Sequence, residues 1–186
     1  MRKINFIDID ETLFFTKAKI LVLKEGKVIK ELSNQVFNNY KLEEGESFDF
    51  SQFRCSKTFV STSIPNYKMI KKVNELEKKN EEIVLLTARA DFDDKKKIIK
   101  YMNSVGLNVG HYLDKKIHIV RCGNEDGDTP SKKKDLIQRI LKKRPEFDCF
   151  TLYDDSIKNL EKVSSIKKKN QMFLVNKENV KKVNKF

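Results

Sequence analysis

The sequence predicts an α/β fold in which a parallel sheet carries helices on both faces. Three observations lead there. Short apolar runs recur at 3–8, 83–87, 117–121, 149–153 and 171–175, and runs of that length and apolarity read as buried strands. Amphipathic segments of helical spacing lie between most of them, and strands that alternate with helices build parallel sheets. Two of the runs end in paired carboxylates, at the strand ends where open parallel sheets bind their ligands.

The first run, Ile4-Asn5-Phe6-Ile7, leads into Asp8-Ile9-Asp10-Glu11-Thr12. Residues two apart in a strand point to the same side, so Asp8 and Asp10 are expected to emerge together. Two close carboxylates suit an oxygen-ligated divalent cation, or a division of labour between nucleophile and acid/base. The plainer alternative is that they cap a following helix or turn. Leu13–Thr16 forms a short turn region, and 18–32 reads as a hairpin: Ile20–Leu23, a turn at Glu25-Gly26, then Val28–Leu32.

Residues 33–65 are expected to be irregular. Their aromatic residues, Phe37, Tyr40, Phe48, Phe50, Phe53 and Phe59, are expected to build a miniature core rather than stack on a ligand. A helix over 66–79 follows Pro65, with Met69, Ile70, Val73 and Leu76 on one face. Strand 83–87 ends in the hydroxyl of Thr87. A helix over 92–104 stops before Gly106, and strand 117–121 leads into a loop, 122–130, that carries Gly123, Gly127 and three acids. In Thr129-Pro130-Ser131-Lys132-Lys133-Lys134, Ser131 is expected to cap a helix over 131–143. Strand 149–153 then ends in Asp154-Asp155-Ser156, with Ser156 capping a helix over 156–163, and strand 171–175 closes the sheet.

The order Asp-x-Asp-x-Thr, apolar run to Thr, lysine at a helix start, apolar run to Asp-Asp resembles the haloacid-dehalogenase-like (HAD) phosphatase superfamily. The resemblance covers the start of the chain and residues 66–176. It implies a Rossmann-like catalytic core over 1–12 and 66–186, and a small cap over 13–65, inserted after the first strand. It also implies that Asp8 is the nucleophile that becomes an aspartyl-phosphate, and that Asp10 is the general acid/base. Thr87 would hold a phosphoryl oxygen, and a lysine of the 132–134 cluster would neutralise phosphoryl charge. Asp154 and Asp155 would help hold Mg²⁺ with Asp8 and the backbone carbonyl of Asp10. Aspartate rather than threonine at position 10 points to the phosphatases and away from the ATPase branch.

The chemistry of the residues is compatible with that reading. A phosphate monoester dianion repels a carboxylate nucleophile, and a divalent cation and a lysine offset the repulsion. Leu136, Ile137, Ile140 and Leu141 define the buried face of the helix after Pro130. Lys133 precedes Leu136 and Ile137 by one turn and is placed on that face. Lys132 is the second choice, and Lys134 is expected to face solvent. Arg89, just after Thr87, is a candidate to grip a substrate phosphate bidentately. An ion pair with Asp91, Asp93 or Asp94 is the alternative. The arrangement also resembles small phosphatases among tailed-phage proteins and the phosphatase domains of polynucleotide end-repair enzymes. No Gly-x-x-x-x-Gly-Lys-Ser/Thr loop occurs, so no kinase half is expected.

Composition bounds the rest. At 186 residues the chain suits one domain with a modest insertion. Three cysteines without close spacing argue for a reducing cytoplasm and against a disulfide framework or a zinc site. No apolar run approaches membrane-spanning length. Two histidines, His111 and His118, make a histidine-based metallohydrolase a poor fit, and both are expected at the surface or on strand edges. Lys+Arg of 39 against Asp+Glu of 27 gives +12, an excess that attracts polyanions. The lysines are spread over helix faces, however, as in ordinary solvated helices. The expected activity is therefore Mg²⁺-dependent hydrolysis of a phosphate monoester, on a nucleotide or a nucleic-acid 3′-phosphate end. Sugar or metabolite phosphates are the alternative substrates. A non-catalytic, basic nucleic-acid-binding module is the alternative of a different class.

Overall fold

The computed structural model describes residues 1–37, 39–110, 117–177 and 179–183. The chain opens with β1 (Lys3–Asp8). An insertion follows: β2 (Phe14–Phe15), β3 (Ile20–Lys24), β4 (Lys27–Leu32), α1 (Asn34–Phe37), β5 (Glu46–Asp49), α2 (Ser51–Arg54), α3 (Ser56–Thr62) and β6 (Ile64–Pro65). The alternating part runs α4 (Tyr67–Lys78), β7 (Glu82–Thr87), α5 (Lys95–Ser104), β8 (Ile117–Arg121), α6 (Thr129–Lys143), β9 (Cys149–Asp154), α7 (Ile157–Ser164), β10 (Lys169–Val175) and β11 (Val180–Val183).

The central sheet has the order β11-β10-β9-β1-β7-β8. Five strands are parallel, and only β11 runs antiparallel to its neighbour. β1 lies between β7 and β9, with Asp8 level with Leu86 and Ile7 level with Tyr153. Asp8, Thr87 and Asp154 therefore leave the sheet at one edge.

Two apolar clusters cover the sheet. Ile7, Ile83, Leu85 and Ile117 pack with Met69, Val73 and Leu76 of α4 and with Ile98 and Met102 of α5. Ile4, Phe6, Val84 and Leu86 pack with Leu136, Ile137 and Leu141 of α6 and with Leu160 and Val163 of α7. Alternate residues of a strand take opposite faces, so the two clusters lie on opposite faces, and helices flank both. Asp8 shares its parity with Ile4 and Phe6, and Asp154 shares its own with Phe150 and Leu152. Both acids thus turn towards the α6 side.

The insertion folds on a small sheet of its own, in the order β4-β3-β5. Ile20, Val22 and Leu32 form its core, with Phe37, Tyr40, Phe48 and Phe53 packed against them, as the aromatic pattern suggested. Phe50 is more open to solvent, and Phe59 belongs to the main core. The neck is closed by the antiparallel pair β2·β6 and by Asn66. The Asn66 backbone N–H donates to the Leu13 carbonyl (2.8 Å), and its side-chain amide donates to the Thr12 carbonyl (2.9 Å). Phe59 of α3 then packs edge-on to Phe14, Phe92 and Tyr101.

Several local expectations change. Residues 33–65 hold β5, β6 and three short helices. Elements of two to seven residues are too brief for periodicity to register. α6 is capped by Asp128 rather than Ser131. The Asp128 carboxylate accepts the Ser131 N–H (2.7 Å), and Pro130 in the first turn has no N–H to leave unpaired. β11 is an added edge strand whose two central lysines hide its pattern, a usual protection for a sheet edge. Ser156 caps α7 as expected. His118 sits on edge strand β8, and His111 lies outside the described residues. The three cysteines are free. Among the described residues no helix is long and apolar enough to cross a membrane.

The aromatic stitch between insertion and core gives a stability contrast. Phe59→Ala removes a fully buried ring and should cost about 3–5 kcal/mol. Phe50→Ala, at a ring 41% exposed, should cost about 0.5–1.5 kcal/mol, the worth of its ring contacts. Urea unfolding of the two variants measures both, and equal losses would show that Phe59 does not join the two parts.

Candidate active site

Two ion-pair clusters meet at the C-terminal edge of the sheet. The first is built from β1, β9 and α6. Lys133 is buried in the first turns of α6, one turn before Leu136 and Ile137, as its position on the apolar face predicts. Its ammonium donates to Asp8 Oδ1 at 2.6 Å and to Asp154 Oδ2 at 2.7 Å. All three side chains are 5% exposed or less. The other oxygen of Asp154 accepts the Ser156 N–H (2.9 Å) and the Asn159 side-chain amide (2.8 Å). Asp154 is thereby fixed by donors from two helices. Asp155, next in the chain, is exposed as a residue. One carboxylate oxygen from each of Asp8, Asp154 and Asp155 nevertheless lies within 4.8 Å of the other two.

This clustering moves protonation. Loss of hydration raises the Asp8 carboxyl. Lys133 opposes the rise, and Asp154, Asp155 and Asp10 reinforce it. Lost hydration among the clustered acids, and then the Asp154 charge, push Asp155 up to about 7. Burial would lower the Lys133 ammonium, but the two carboxylates on it outweigh burial and hold it above the ordinary lysine range.

The second cluster centres on Asp10. Arg89 grips its carboxylate with Nε (3.0 and 2.9 Å) and Nη2 (2.6 Å). The remaining guanidinium nitrogen, Nη1, donates to the Phe53 carbonyl in the insertion (2.8 Å). The Phe53, Phe59 and Phe92 rings lie 4.7–5.4 Å from the guanidinium carbon. Thr87 Oγ1 accepts the Arg89 backbone N–H (3.0 Å) and donates to Asp10 Oδ2 (3.4 Å). Arg89 therefore pairs with Asp10 rather than with Asp91, Asp93 or Asp94. Asp91 meets Arg121 and Lys95, Asp93 accepts the Ser56 N–H, and Asp94 caps α5. Arg89 is only 3% exposed, and its side chain faces Asp10 instead of solvent.

The loop holding Arg89 is pinned by Gly123. A Cβ at position 123 would lie 2.3 Å from the Ala88 carbonyl oxygen and from the Arg89 carbonyl carbon. The Gly123 N–H donates to the Arg89 carbonyl (3.3 Å). Only glycine permits that approach.

The structure thus gathers Asp8, Asp10, Thr87, Arg89, Lys133, Asp154 and Asp155 at one edge. Lys132 is half-buried beside them on α6, and it is Lys133 that reaches the acids. Asn159 and Gly123 were not anticipated. An asparagine on the buried face of a short helix just after two acids is the signal that marked the first. Gly123 carried none beyond its loop. Comparison of the chain with protein-family models and with curated protein sequences gives no match.

Chemically, the first cluster offers an all-oxygen donor set beside one fixed cation. Oxygen donors suit a hard divalent ion. Lys133→Met should leave Asp8 and Asp154 buried without their partner and destabilise the protein by about 3–5 kcal/mol. Chemical denaturation in EDTA measures this, and a loss under about 1 kcal/mol would mean that water reaches the two acids freely.

Proposed function

We propose that the chain is a Mg²⁺-dependent phosphomonoesterase of the haloacid-dehalogenase-like type, with a Rossmann-like core and residues 13–65 as a small cap. One observation supports this above the others. Asp8 and Asp10, two apart at the end of the central strand, are served by different cations: Lys133 on Asp8 and Arg89 on Asp10. Two neighbouring carboxylates in separate environments suit a division into nucleophile and proton carrier.

In this reading Asp8 attacks phosphorus with one carboxylate oxygen, and the bond from phosphorus to the ester oxygen breaks. Asp10 gives its proton to that leaving oxygen. Asp10, now a carboxylate, takes a proton from water as the water oxygen attacks phosphorus. The aspartyl-phosphate bond breaks, inorganic phosphate leaves, and Asp8 is restored. Lys133 and the Thr87 hydroxyl hold phosphoryl oxygens, and Asn159 and Ser156 keep Asp154 in place. Asp8, Asp154 and Asp155, with the Asp10 backbone carbonyl, would hold Mg²⁺, which when bound offsets the charge of the phosphoryl oxygens.

The preferred substrate is a nucleotide or a nucleic-acid 3′-phosphate end. The net charge of +12 supports it. So do α5, α6 and α7, which start at the site's edge with Lys95–Lys97, Lys132–Lys134 and Lys158 and have no acid in their first turns. Asp94 and Asp128 cap α5 and α6, and the lysines that follow them add positive charge that draws polyanions.

Asp8→Asn should abolish phosphate release while the far-ultraviolet circular dichroism stays unchanged. Asp10→Asn should slow turnover by about 10²–10⁴-fold, and by less for aryl phosphates, whose leaving groups need no proton. Retained turnover in folded Asp8→Asn, or equal losses on aryl and alkyl phosphates for Asp10→Asn, would overturn the assignment.

A panel of nucleotides, 3′- and 5′-phosphorylated oligonucleotides and sugar phosphates, assayed with Mg²⁺, with EDTA and across a salt series, tests substrate and metal together. EDTA and Asp155→Ala should each suppress activity. On oligonucleotides kcat/KM should fall steeply with salt, because counterions are released on binding, while an aryl phosphate should respond little. Full activity after chelation would exclude the metal. Parallel salt curves, or preference for a sugar phosphate, would favour metabolite phosphates. Oligonucleotide binding without turnover would favour a binding module.

A further inference from the structure

We infer that Arg89 is a positioning residue that holds the Asp10 carboxylate for proton transfer and ties the insertion to that task. The inference rests on the reading of Asp10 as the proton carrier, and it differs from a substrate-binding role for Arg89.

The geometry uses the whole guanidinium. Nε and Nη2 lie on Asp10, and Nη1 is on the Phe53 carbonyl. Nη2 also lies 3.4 Å from Thr16 Oγ1, just past β2. A planar, rigid fork fixes a carboxylate in both position and rotation, which an ammonium does not do. Phe53, Phe59 and Phe92 enclose the guanidinium. Ring faces favour a cation, and they keep out water that would weaken the ion pair. The Arg89 side chain is 1% exposed, while Asp10 keeps 17%. Asp10 is thus fixed in orientation by Arg89 while its side chain keeps the partial exposure that a proton carrier needs.

The contacts also join two parts of the chain. Phe53 and Thr16 belong to the insertion, Thr87 and Arg89 to the end of β7, and Asp10 to the turn after β1. The insertion reinforces the link nearby, because the Asp93 N–H donates to the Arg54 carbonyl (3.1 Å) and the Ser56 N–H donates to Asp93 (2.8 Å). A displacement of α2 relative to the sheet therefore acts on the partner of Asp10.

A double-mutant cycle tests this. Arg89→Met keeps the bulk and removes the fork. It should lower kcat by about 10–100-fold, the cost of a misplaced catalytic group, with KM little changed and a greater loss on alkyl than on aryl phosphates. In an Asp10→Asn background the same change should cost less than about twofold, because residues acting through one another are not additive. Arg89→Lys should recover only part of kcat. Hydrogen exchange of residues 50–56 should speed up in Arg89→Met. If Arg89→Met does not fold, Arg89→Lys in both backgrounds and the exchange measurement carry the test. Additive losses, or a loss confined to KM, would overturn the inference in favour of a structural or substrate-binding Arg89. If Asp10→Asn itself leaves turnover intact, the acid/base reading fails instead. Exchange in 50–56 then still reports whether Arg89 holds the insertion.

Discussion

The buried ammonium of Lys133 between Asp8 and Asp154 is the interaction on which the rest of the structure depends. Three charges with almost no solvent contact are tolerable only when they satisfy one another. The fold meets that condition by topology. β1 and β9 are adjacent and parallel, so their last residues stand side by side. The matching parity of Asp8 and Asp154 turns both acids to the face that α6 covers. α6 begins at that edge, and its apolar stripe points Lys133 inwards. Shifting any of these elements by one residue would bury a charge without its partner. The same contacts that set the chemistry therefore also set the register.

Asp10 is handled differently. Lys133 is a point charge shared by two acids, whereas Arg89 is a fork committed to one. Its lining is aromatic and comes largely from the insertion. The insertion core made of Ile20, Val22, Leu32 and their aromatic neighbours thus does more than hold the insertion together. It supplies the carbonyl and the Phe53 ring that hold Arg89. Phe59 faces the main core on one side and the guanidinium on the other, so packing and ion pairing share the same ring.

Most of this was legible in the sequence where period and chemistry coincide. The five parallel strands, the hairpin at 18–32 and the four long helices follow from apolar runs and helical stripes, which report burial directly. Lys133 was separable from Lys132 and Lys134 because a single apolar stripe fixes a helix's rotation. The contacts that were missed depend on three-dimensional approach. Arg89 has three acids within five residues in sequence, yet its partner is Asp10, seventy-nine positions away. A local pattern cannot rank a distant carboxylate against near ones. Gly123 is required by a loop crossing, and nothing in its neighbours announces that. The cap of α6 moved from Ser131 to Asp128 because both residues are good caps, and the choice between them depends on where the preceding loop lets the helix start.

The charge balance of the site carries the argument one step further. Asp8, Asp10, Asp154 and Asp155 face two cations, Lys133 and Arg89, so full ionisation leaves an excess of two negative charges. The excess is concentrated on the Asp8 and Asp155 side, because Arg89 accounts for Asp10. It shows there as carboxyls raised by lost hydration and by one another, Asp155 to about 7. A phosphate dianion would meet that repulsion directly. A divalent ion among the oxygens of Asp8, Asp154 and Asp155 would cancel it, and would lower the same carboxyls into their ionised form. The imbalance is thus local and of the size of one divalent charge, and on the proposed reading it lies beside the carboxylate that attacks phosphorus.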